Sequence, residues 1–318
     1  MASNASRTNG RAPVQRFFFE ESNNLYNEII SLHDFVQPMS TAMWHFRHVI
    51  DQELRADTPL NAAQLAKKYN TAPKTRGTTN LLHPFNTISW DDQRQRIAEL
   101  ALVNIIAIFE VWCDEICTKL GRDDLAIRLQ FPTNATRTKG AGSAIDELTT
   151  TESSPLRGAI YPALVRSRKY SLSHLDNLLK CFRFFKELRN SFMHRGRRCD
   201  GKLYGAQSEF VPVANTGALG MDFVPDYSTY EIGDPIQLSF RGVLGFTDVI
   251  LRIVATVDAE LSRSLLAEAE INRRIKSAKR TPIKRPDSLR SLFNTFGIQG
   301  VVVRPDLVSL FRSNAVLK

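Results

Sequence analysis

The chain has 318 residues, of which 43% are apolar and 24% charged; these values are typical of a globular protein and exclude a wholly disordered one. Its net charge of +9 favours a polyanionic partner such as nucleic acid. No apolar run approaches the ~20 residues that a membrane span requires. The opening MASNASRTNGRAPVQR lacks the apolar core of a signal peptide. We therefore expect a cytoplasmic protein with a disordered start, residues 1–15, and no membrane partner.

The sequence offers little metal-binding chemistry. Its cysteines form no C-x-x-C pair, and His45 and His48, three residues apart in a helical segment, have no evident third ligand. Buried, reduced thiols are expected for the four cysteines, which are Cys113, Cys117, Cys181 and Cys199. There is no P-loop, no dinucleotide-binding fingerprint and no carboxylate cluster of the two-metal kind. We predict neither a metal nor another cofactor.

Helical patterns dominate the first 88 residues. Two amphipathic segments, 16–36 and 40–56, flank Pro38, which predicts a break between two helices because proline lacks an amide hydrogen. NAAQLAKKYN predicts a further short helix, and TAPKTRGTTNLLHPFN predicts a loop because it is rich in Gly, Thr, Asn and Pro. We interpret residues 16–88 as a helical extension that precedes the main domain.

Three long helices are predicted to form the core of the main domain. The first has Ser89 as its N-cap, Gly121 just after its end, and an apolar middle, LALVNIIAIFEVWC, that is typical of a central helix. The second ends at Gly196. The predicted ranges are 89–121, 171–196 and 241–280.

The segments between and after these helices have weaker patterns. Residues 131–158 predict a mobile loop with a short helix near 143–149. Gly, Pro and β-forming residues dominate 200–240, which predicts strands or an extended insertion. Residues 281–318 predict a small C-terminal module, with a strand at GVVV and a helix that Pro305 starts. The expected fold is an all-α helical bundle over 89–280, with a small extended or β-rich insertion before its last long helix.

The end of the second long helix, FKELRNSFMHRGRR, carries the most specific signal. Arg189 falls within the apolar stripe of the helix, where a charge needs an acidic partner, a subunit interface or an anionic ligand. Asn190 and His194 are four residues apart, so they share a face, and the amide can hydrogen-bond the imidazole and fix its tautomer. Arg189 and His194 are separated by about 140° around the helix.

RNSFMH has the form R-N-x-x-x-H and resembles the R-x(4–6)-H motif of HEPN domains, in which the motif ends a core helix of an all-α bundle. The resemblance covers residues 89–280. Arg76 to His83 and Arg168 to His174 match the same spacing, but neither pair has Asn after the Arg or ends a core helix. The resemblance implies a metal-independent endoribonuclease of the toxin, abortive-infection or anti-phage kind, commonly dimeric so that two motifs face each other.

The same resemblance assigns roles to residues. Arg189, Asn190 and His194 are the expected catalytic residues. His194 would act as general base or acid while the 2′-OH of RNA attacks the adjacent phosphate, and Arg189 would bind the phosphate oxygens. The products would carry 2′,3′-cyclic phosphate and 5′-OH ends. Independently of the resemblance, Glu110 is a lone acid in the apolar first core helix, which suggests a buried partner, and Arg189 is the candidate. Three more arginines are expected to contact the RNA backbone: Arg195, Arg197 and Arg198.

Two alternatives remain open on these residues. The domain can be a HEPN-like bundle without nuclease activity that binds RNA or protein. Cations in the last turn of a helix are also favoured by the helix dipole and by free carbonyl groups, so the arginines can be an ordinary basic cap of a helical interaction protein. The expected partners are RNA and a second copy of the chain, with an antitoxin or regulatory protein as a further candidate.

Overall fold

The computed structural model describes residues 17–69, 80–130, 140–277, 286–295, 298 and 300–313. The described part is all-α, as expected, with isolated β-bridges but no sheet. None of its helices has the length and apolar character needed to cross a membrane. The α-helices are α1 (Glu20–Arg55), α2 (Ala62–Tyr69), α3 (Trp90–Lys119), α4 (Ala126–Gln130), α5 (Ala141–Leu148), α6 (Ser154–Ala159), α7 (Tyr161–Leu164), α8 (Leu175–His194), α9 (Gly201–Phe210), α10 (Thr216–Leu219), α11 (Phe240–Ser262), α12 (Leu265–Ser277), α13 (Pro286–Thr295) and α14 (Pro305–Ser313).

Helix α1 continues through Pro38, so the predicted break between two helices is wrong. A proline inside a helix costs about 3 kcal/mol through its missing hydrogen bond and its ring. The apolar face of α1 is buried on both sides of the proline, at Val36 and at Ile50. Burial of a fully packed aliphatic side chain contributes about 1.5–3 kcal/mol each, which offsets that cost.

The ends of α3 follow the sequence closely. The Ser89 hydroxyl accepts a hydrogen bond of 3.0 Å from the amide of Asp92, which confirms the predicted N-cap. Gly121 has a φ of +67°, and the amide of Arg122 donates back to the carbonyl of Cys117 at 2.8 Å. This is the Schellman arrangement, in which a left-handed glycine satisfies the last carbonyl groups of a helix.

The segment 200–240 contains no strand, which corrects one alternative of the prediction; the other alternative, an extended insertion, applies only to its second half. Helix α9 starts there because the Asp200 carboxylate accepts hydrogen bonds from the amides of Lys202 and Leu203, at 3.1 and 2.9 Å. The face of α9 that carries Leu203, Ala206 and Phe210 is buried. After α10 the chain forms no helix or strand over 222–239, which we call the extended segment; it contains a tight turn at 231–234 and one isolated β-bridge, between Arg198 and Pro235. The glycines and β-forming residues of 200–240 therefore lie in helices and in the segment after α10 rather than in a sheet.

The third long helix is interrupted, which corrects another prediction. α11 ends at Ser262 and α12 begins at Leu265. The backbone between them pairs with the segment before α6: the amide of Ser153 donates to the carbonyl of Arg263 at 2.7 Å, and the amide of Leu265 donates to that of Thr151 at 2.9 Å. These bonds replace helical ones, so the chain bends at this point.

The remaining expectations divide into three groups. The short helices α2 and α14 are confirmed, with Pro305 at the start of α14. Within the predicted loop 131–158, the described part from 140 onward is largely helical, in α5 and α6. The predicted strand at GVVV, residues 300–303, is not formed. Three predictions lie outside the described residues: the disordered start, most of the loop before His83, and the helix end at Pro282.

The chain divides into two compact units. The first unit consists of Met1–Tyr26, Phe109–Lys180 and Ile250–Lys318, and the second of Asn27–Ile108 and Cys181–Val249. The chain passes between the units inside α1, α3, α8 and α11. The boundaries of these two units differ from those of the predicted regions, which were a helical extension at 16–88, a main domain at 89–280 and a C-terminal module at 281–318.

The first unit closes around its N-terminal stretch. Phe18 and Phe19 are fully buried, as is Trp112, whose Nε1 donates a hydrogen bond of 3.0 Å to the hydroxyl of Ser22. The Asp258 carboxylate on α11 accepts bonds from the amides of Phe18 and Phe19, at 2.6 and 3.0 Å. Amides at a helix start have no intrahelical partner, so Asp258 satisfies these groups just before α1.

A second buried carboxylate of this unit, that of Glu260, also accepts several hydrogen bonds. The Oε1 atom of Glu260 accepts hydrogen bonds from the hydroxyls of Tyr161 and Tyr170, at 2.8 and 2.7 Å. The guanidinium of Arg263 donates to Oε2 at 2.7 and 3.0 Å. A buried carboxylate is tolerated only when it is paired and hydrogen-bonded, and Glu260 meets both conditions.

The second unit has an aromatic core around α8. Phe185 stacks on Phe246 of α11 with ring centroids 4.5 Å apart, and Phe184 stacks on Phe210 of α9 at 5.2 Å. The extended segment approaches α11 so closely that a Cβ on Gly242 would lie 2.0 Å from the carbonyl oxygen of Asp226. The middle of α8 is therefore packed against both α9 and α11.

Candidate active site at the end of helix α8

Helix α8 ends in two consecutive left-handed residues. Gly196 has a φ of +66°, which glycine adopts without strain, and Arg197 has a φ of +63°, which is uncommon for a residue with a Cβ. The amide of Arg197 donates to the carbonyl of Ser191 at 3.1 Å, closing a wide final turn. The chain thus reverses sharply within two residues of His194.

The predicted catalytic residues lie on the last two turns before this reversal. Arg189 and Asn190 are half-buried and His194 is exposed. Nη1 of Arg189 donates a hydrogen bond of 3.1 Å to the side-chain oxygen of Asn190. No hydrogen bond joins Asn190 to His194, although both are described. The amide therefore orients the guanidinium, and the expected bond to the imidazole is not formed.

All three of the predicted RNA-binding arginines contact protein groups. Arg195 forms ion pairs with Glu187 at 2.8 Å and with Asp200 at 3.0 Å. Arg198 is exposed, and its Nη1 donates to the carbonyl of Gly233 at 2.7 Å. Arg195 thereby ties the end of α8 to the N-cap of α9, so the charge that it offers to a ligand is offset by two carboxylates.

Arg197 forms the most extensive side-chain contacts of the three arginines. Its two terminal nitrogens donate to the two carboxylate oxygens of Glu99 on α3, each at 2.7 Å, and its guanidinium lies 5.6 Å from the ring centre of Phe192. The Glu99 carboxylate is buried while Arg197 is partly exposed. Planar, bidentate pairing of this kind is stronger than a single hydrogen bond. Glu99 was not predicted as a site residue; its only signal in the sequence is an acid that directly follows two apolar residues, Ile97 and Ala98.

The residues after Arg197 are fixed by backbone pairing with the extended segment. The amide of Ile236 donates to the carbonyl of Arg197 at 3.0 Å. The amide of Cys199 donates to the carbonyl of Asp234 at 2.9 Å, and the amide of Gly233 donates to that of Cys199 at 2.8 Å. This loop is therefore held on both sides, by Glu99 and by the extended segment.

Glu110, the predicted support of Arg189, is half-buried on α3 and belongs to the first unit, whereas Arg189 belongs to the second. Its support of Arg189 stays a prediction. His45 and His48 are exposed on α1. Within the described residues, no group of three or more His, Cys, Asp or Glu side chains is arranged to hold a metal ion.

The arrangement offers a small set of chemical functions. An exposed imidazole can accept or donate a proton near neutral pH. A guanidinium five residues earlier, oriented by Asn190, can bind an oxyanion. Arg195 and Arg197 are paired with carboxylates, so the local positive charge is smaller than the sequence suggests. One chain supplies one such imidazole, whereas transfer to and from two oxygens needs an acid and a base.

Comparison with known proteins gives no further constraint. The chain matches no protein-family model, no curated protein and no solved structure.

Proposed function

We propose that the protein is a metal-independent endoribonuclease of the HEPN type, with Arg189, Asn190 and His194 as its catalytic residues. The observation that carries the proposal is the end of α8. There an exposed imidazole follows a guanidinium that is already oriented by the neighbouring amide, at 3.1 Å. We further propose that this activity serves as a toxin or in anti-phage defence.

The chemistry balances without a cofactor. A base removes the proton of the 2′-OH, the 2′ oxygen bonds to the adjacent phosphorus, and the bond from phosphorus to the 5′ oxygen breaks. An acid then protonates the 5′ oxygen, which leaves a 2′,3′-cyclic phosphate and a 5′-OH end. In a two-fold dimer, His194 of one chain would be the base and that of the second chain the acid, while Arg189 stabilises the phosphate charge.

RNA cleavage in EDTA tests the proposal. The wild type is expected to cleave single-stranded RNA and to leave DNA intact, because DNA has no 2′-OH. Arg189→Ala and His194→Ala should each abolish cleavage while circular dichroism shows unchanged helix content. End analysis should find cyclic phosphate on one product and 5′-OH on the other.

The chain contains a matched control for these variants. Arg168 and His174 have the same motif spacing, but His174 lies in a 3₁₀ turn before α8. Arg168→Ala and His174→Ala should leave cleavage unchanged. Cleavage that survives the Arg189 and His194 substitutions, or that requires a divalent metal, would contradict the proposal.

A second candidate is a HEPN-like module that binds RNA or protein without cleaving it. The observation that favours it is the pairing of Arg195 and Arg197 with carboxylates, because these contacts give the arginines a structural role. Such a protein would bind labelled RNA in EDTA but yield no products at any protein concentration. A binding assay run beside the cleavage assay therefore separates the two candidates.

A further inference from the structure

Helix α3 has an apolar face that the described part of the chain leaves exposed. Leu100 and Val111 are 64% and 54% exposed, and Ala107, which lies between them, is exposed as well. Their spacing of seven and four residues places them on one side of the helix. A helix that is apolar nearly all round is normally buried on every side. An exposed apolar stripe in its middle is therefore a contact surface in search of a partner.

The exposed residues along this side of α3 have a symmetric spacing. We call them the α3 stripe, and they are Arg96, Leu100, Asn104, Ala107, Val111 and Glu115. The steps between successive members are 4, 4, 3, 4 and 4 residues. Two copies of α3 that pack antiparallel about the middle of the stripe therefore bring each position opposite its counterpart, as a two-fold interface requires.

The positions that this packing brings together are compatible in the middle of the stripe. Leu100 would lie opposite Val111 of the second copy, so that apolar side chains cover each other. Asn104 would lie opposite Ala107, whose short side chain leaves room for it. The Asn104 amide already donates a hydrogen bond of 2.8 Å to the carbonyl of Leu100. Covering Asn104 therefore does not leave its side chain without a hydrogen-bond acceptor.

Opposite charges would meet at the two ends of the stripe. Arg96 would face Glu115 of the second copy, whereas parallel packing would bring like charges together. Arg96 contacts Glu99 at 3.2 Å, but its side chain is 63% exposed, and a guanidinium has donors for a second carboxylate. Glu115 is exposed and forms no hydrogen bond or ion pair with another described residue. The charges thus favour a second copy in the antiparallel direction.

We propose that two copies of the protein associate through the α3 stripe in an antiparallel, two-fold arrangement. Leu100 and Val111 supply the apolar contact, and Arg96 and Glu115 set the direction of packing. The inference goes beyond the proposed function, because the stripe would pair two copies whether or not they cleave RNA. It names a surface for the second copy, which the proposed chemistry requires but does not locate.

Analytical ultracentrifugation of the full chain measures this association. The wild type is expected to sediment as a dimer that dissociates on dilution. Leu100→Glu should raise the Kd of the dimer by at least about 100-fold, because it removes two symmetric apolar contacts and buries two charges. Phe35→Glu is the matched control, since Phe35 is 65% exposed on α1 and lies outside the stripe; its Kd should equal that of the wild type. Circular dichroism checks that both variants keep their helix content.

Charge reversal tests the direction of packing. Arg96→Glu and Glu115→Arg each place like charges opposite each other, and each should raise the Kd by about 10-fold. The double variant exchanges the two charges and should restore the Kd of the wild type. Along one α3 helix these residues are about 28 Å apart, so restoration reports a contact between two chains.

Three results would overturn the proposal. A wild type that stays monomeric at every concentration would leave the stripe to a different partner. A dimer that Leu100→Glu does not weaken, or that Phe35→Glu dissociates instead, would have its interface elsewhere. Single charge variants whose weak association is not restored by the double variant would exclude the antiparallel packing. Cleavage assays keep this proposal apart from the nuclease: a dimer formed through the stripe that never cleaves RNA would reject the nuclease alone, and a monomer that cleaves RNA would reject the stripe.

Discussion

Arg197 and Glu99 are joined by two hydrogen bonds of 2.7 Å across 98 residues of sequence, and they connect the loop after α8 to α3. Glu99→Ala removes both acceptors and leaves a strained left-handed arginine without its main partner. We expect the free energy of unfolding to fall by about 1–2 kcal/mol, near the lower end for charged hydrogen bonds because Arg197 stays partly solvated. Urea denaturation measures this change.

Arg96→Ala is the control for Glu99. Arg96 also pairs with Glu99, at 3.2 Å, but its side chain is largely exposed. Its removal should change stability by less than about 1 kcal/mol, as for other surface ion pairs. Equal stability of Glu99→Ala and wild type would show that the bidentate pair does not hold the loop.

Two glycines in the second unit should respond oppositely to alanine. A Cβ on Gly242 would clash with the backbone of Asp226, so Gly242→Ala should destabilise the protein by about 1–3 kcal/mol or more. Gly205 lies inside α9 and has no atom within 4 Å of the added Cβ. Gly205→Ala should stabilise the protein by up to about 1 kcal/mol, because alanine is the better helix former. Thermal unfolding of the two variants gives the comparison, and a destabilised Gly205→Ala would contradict it.

Asp258 should make stability rise as the pH falls. Burial raises the pKa of Asp258 from 3.8 to about 6, although hydrogen bonds from the amides of Phe18 and Phe19 act in the opposite direction. The folded state therefore holds this proton more tightly than the unfolded state. The contribution is fully present below pH 3.8 and is lost as the pH rises through about 6; it amounts to on the order of 3 kcal/mol.

Comparison with Asp258→Asn isolates this contribution. Burial lowers the pKa of His33 below 6.5. The stability that neutral His33 contributes above pH 6.5 is therefore lost as the pH falls through this lowered pKa, which opposes the effect of Asp258 in the wild type. The asparagine variant retains His33 but cannot titrate at position 258. As the pH falls from 8 to 5, the unfolding free energy of the wild type should therefore rise relative to that of the variant. A difference that is constant with pH would refute the assignment.

Tyr161 and Tyr170 should behave as a coupled pair. Both hydroxyls donate to the same oxygen of Glu260, and they lie 3.0 Å from each other. Each change to phenylalanine should cost about 1–2 kcal/mol, because it removes a hydrogen bond to a buried carboxylate. The double variant should cost more than the sum of the two, since either phenol can strengthen its bond when the other is absent.

A double-mutant cycle measured by urea denaturation tests this coupling. Tyr204→Phe is the control, because Tyr204 is partly exposed on α9 and its hydroxyl is not part of this network. Its effect should stay within about 0.5 kcal/mol, as is usual for surface positions. Strict additivity of Tyr161→Phe and Tyr170→Phe would contradict a shared acceptor.

Local signals predicted the parts of the fold that depend on neighbouring residues. Ser89 and Gly121 delimit α3 as expected, since a cap needs only the side chain and the amides within one turn. The Asp200 cap was equally local, but the glycines and β-formers after it obscured the helical face of α9. The prediction of a helix break at Pro38 was wrong because the free-energy cost of a proline in a helix is offset by the burial of apolar side chains on both sides of it. That burial depends on the tertiary packing of Val36 and Ile50, which the local sequence does not show.

The candidate site shows the same limit. The spacing of Asn190 and His194 correctly predicts neighbours on one face, but it does not reveal the competing donor, Arg189, which binds the amide oxygen instead. Glu99 and Arg197 are far apart in sequence, and no periodicity relates them. Charges near the end of a helix can therefore be counted from the sequence, whereas the acids that neutralise them cannot.

The interleaved order of the two units has a consequence during synthesis. Every residue of the second unit, Asn27–Ile108 and Cys181–Val249, is translated before the last segment of the first unit, Ile250–Lys318. The backbone amides of Phe18 and Phe19 bind Asp258 in the folded protein. More than two hundred further residues must therefore be translated before this partner exists. Because domains generally fold as they emerge, we expect the second unit to form while the run of three phenylalanines, Phe17 to Phe19, is still exposed. This stretch is where a chaperone would be expected to bind.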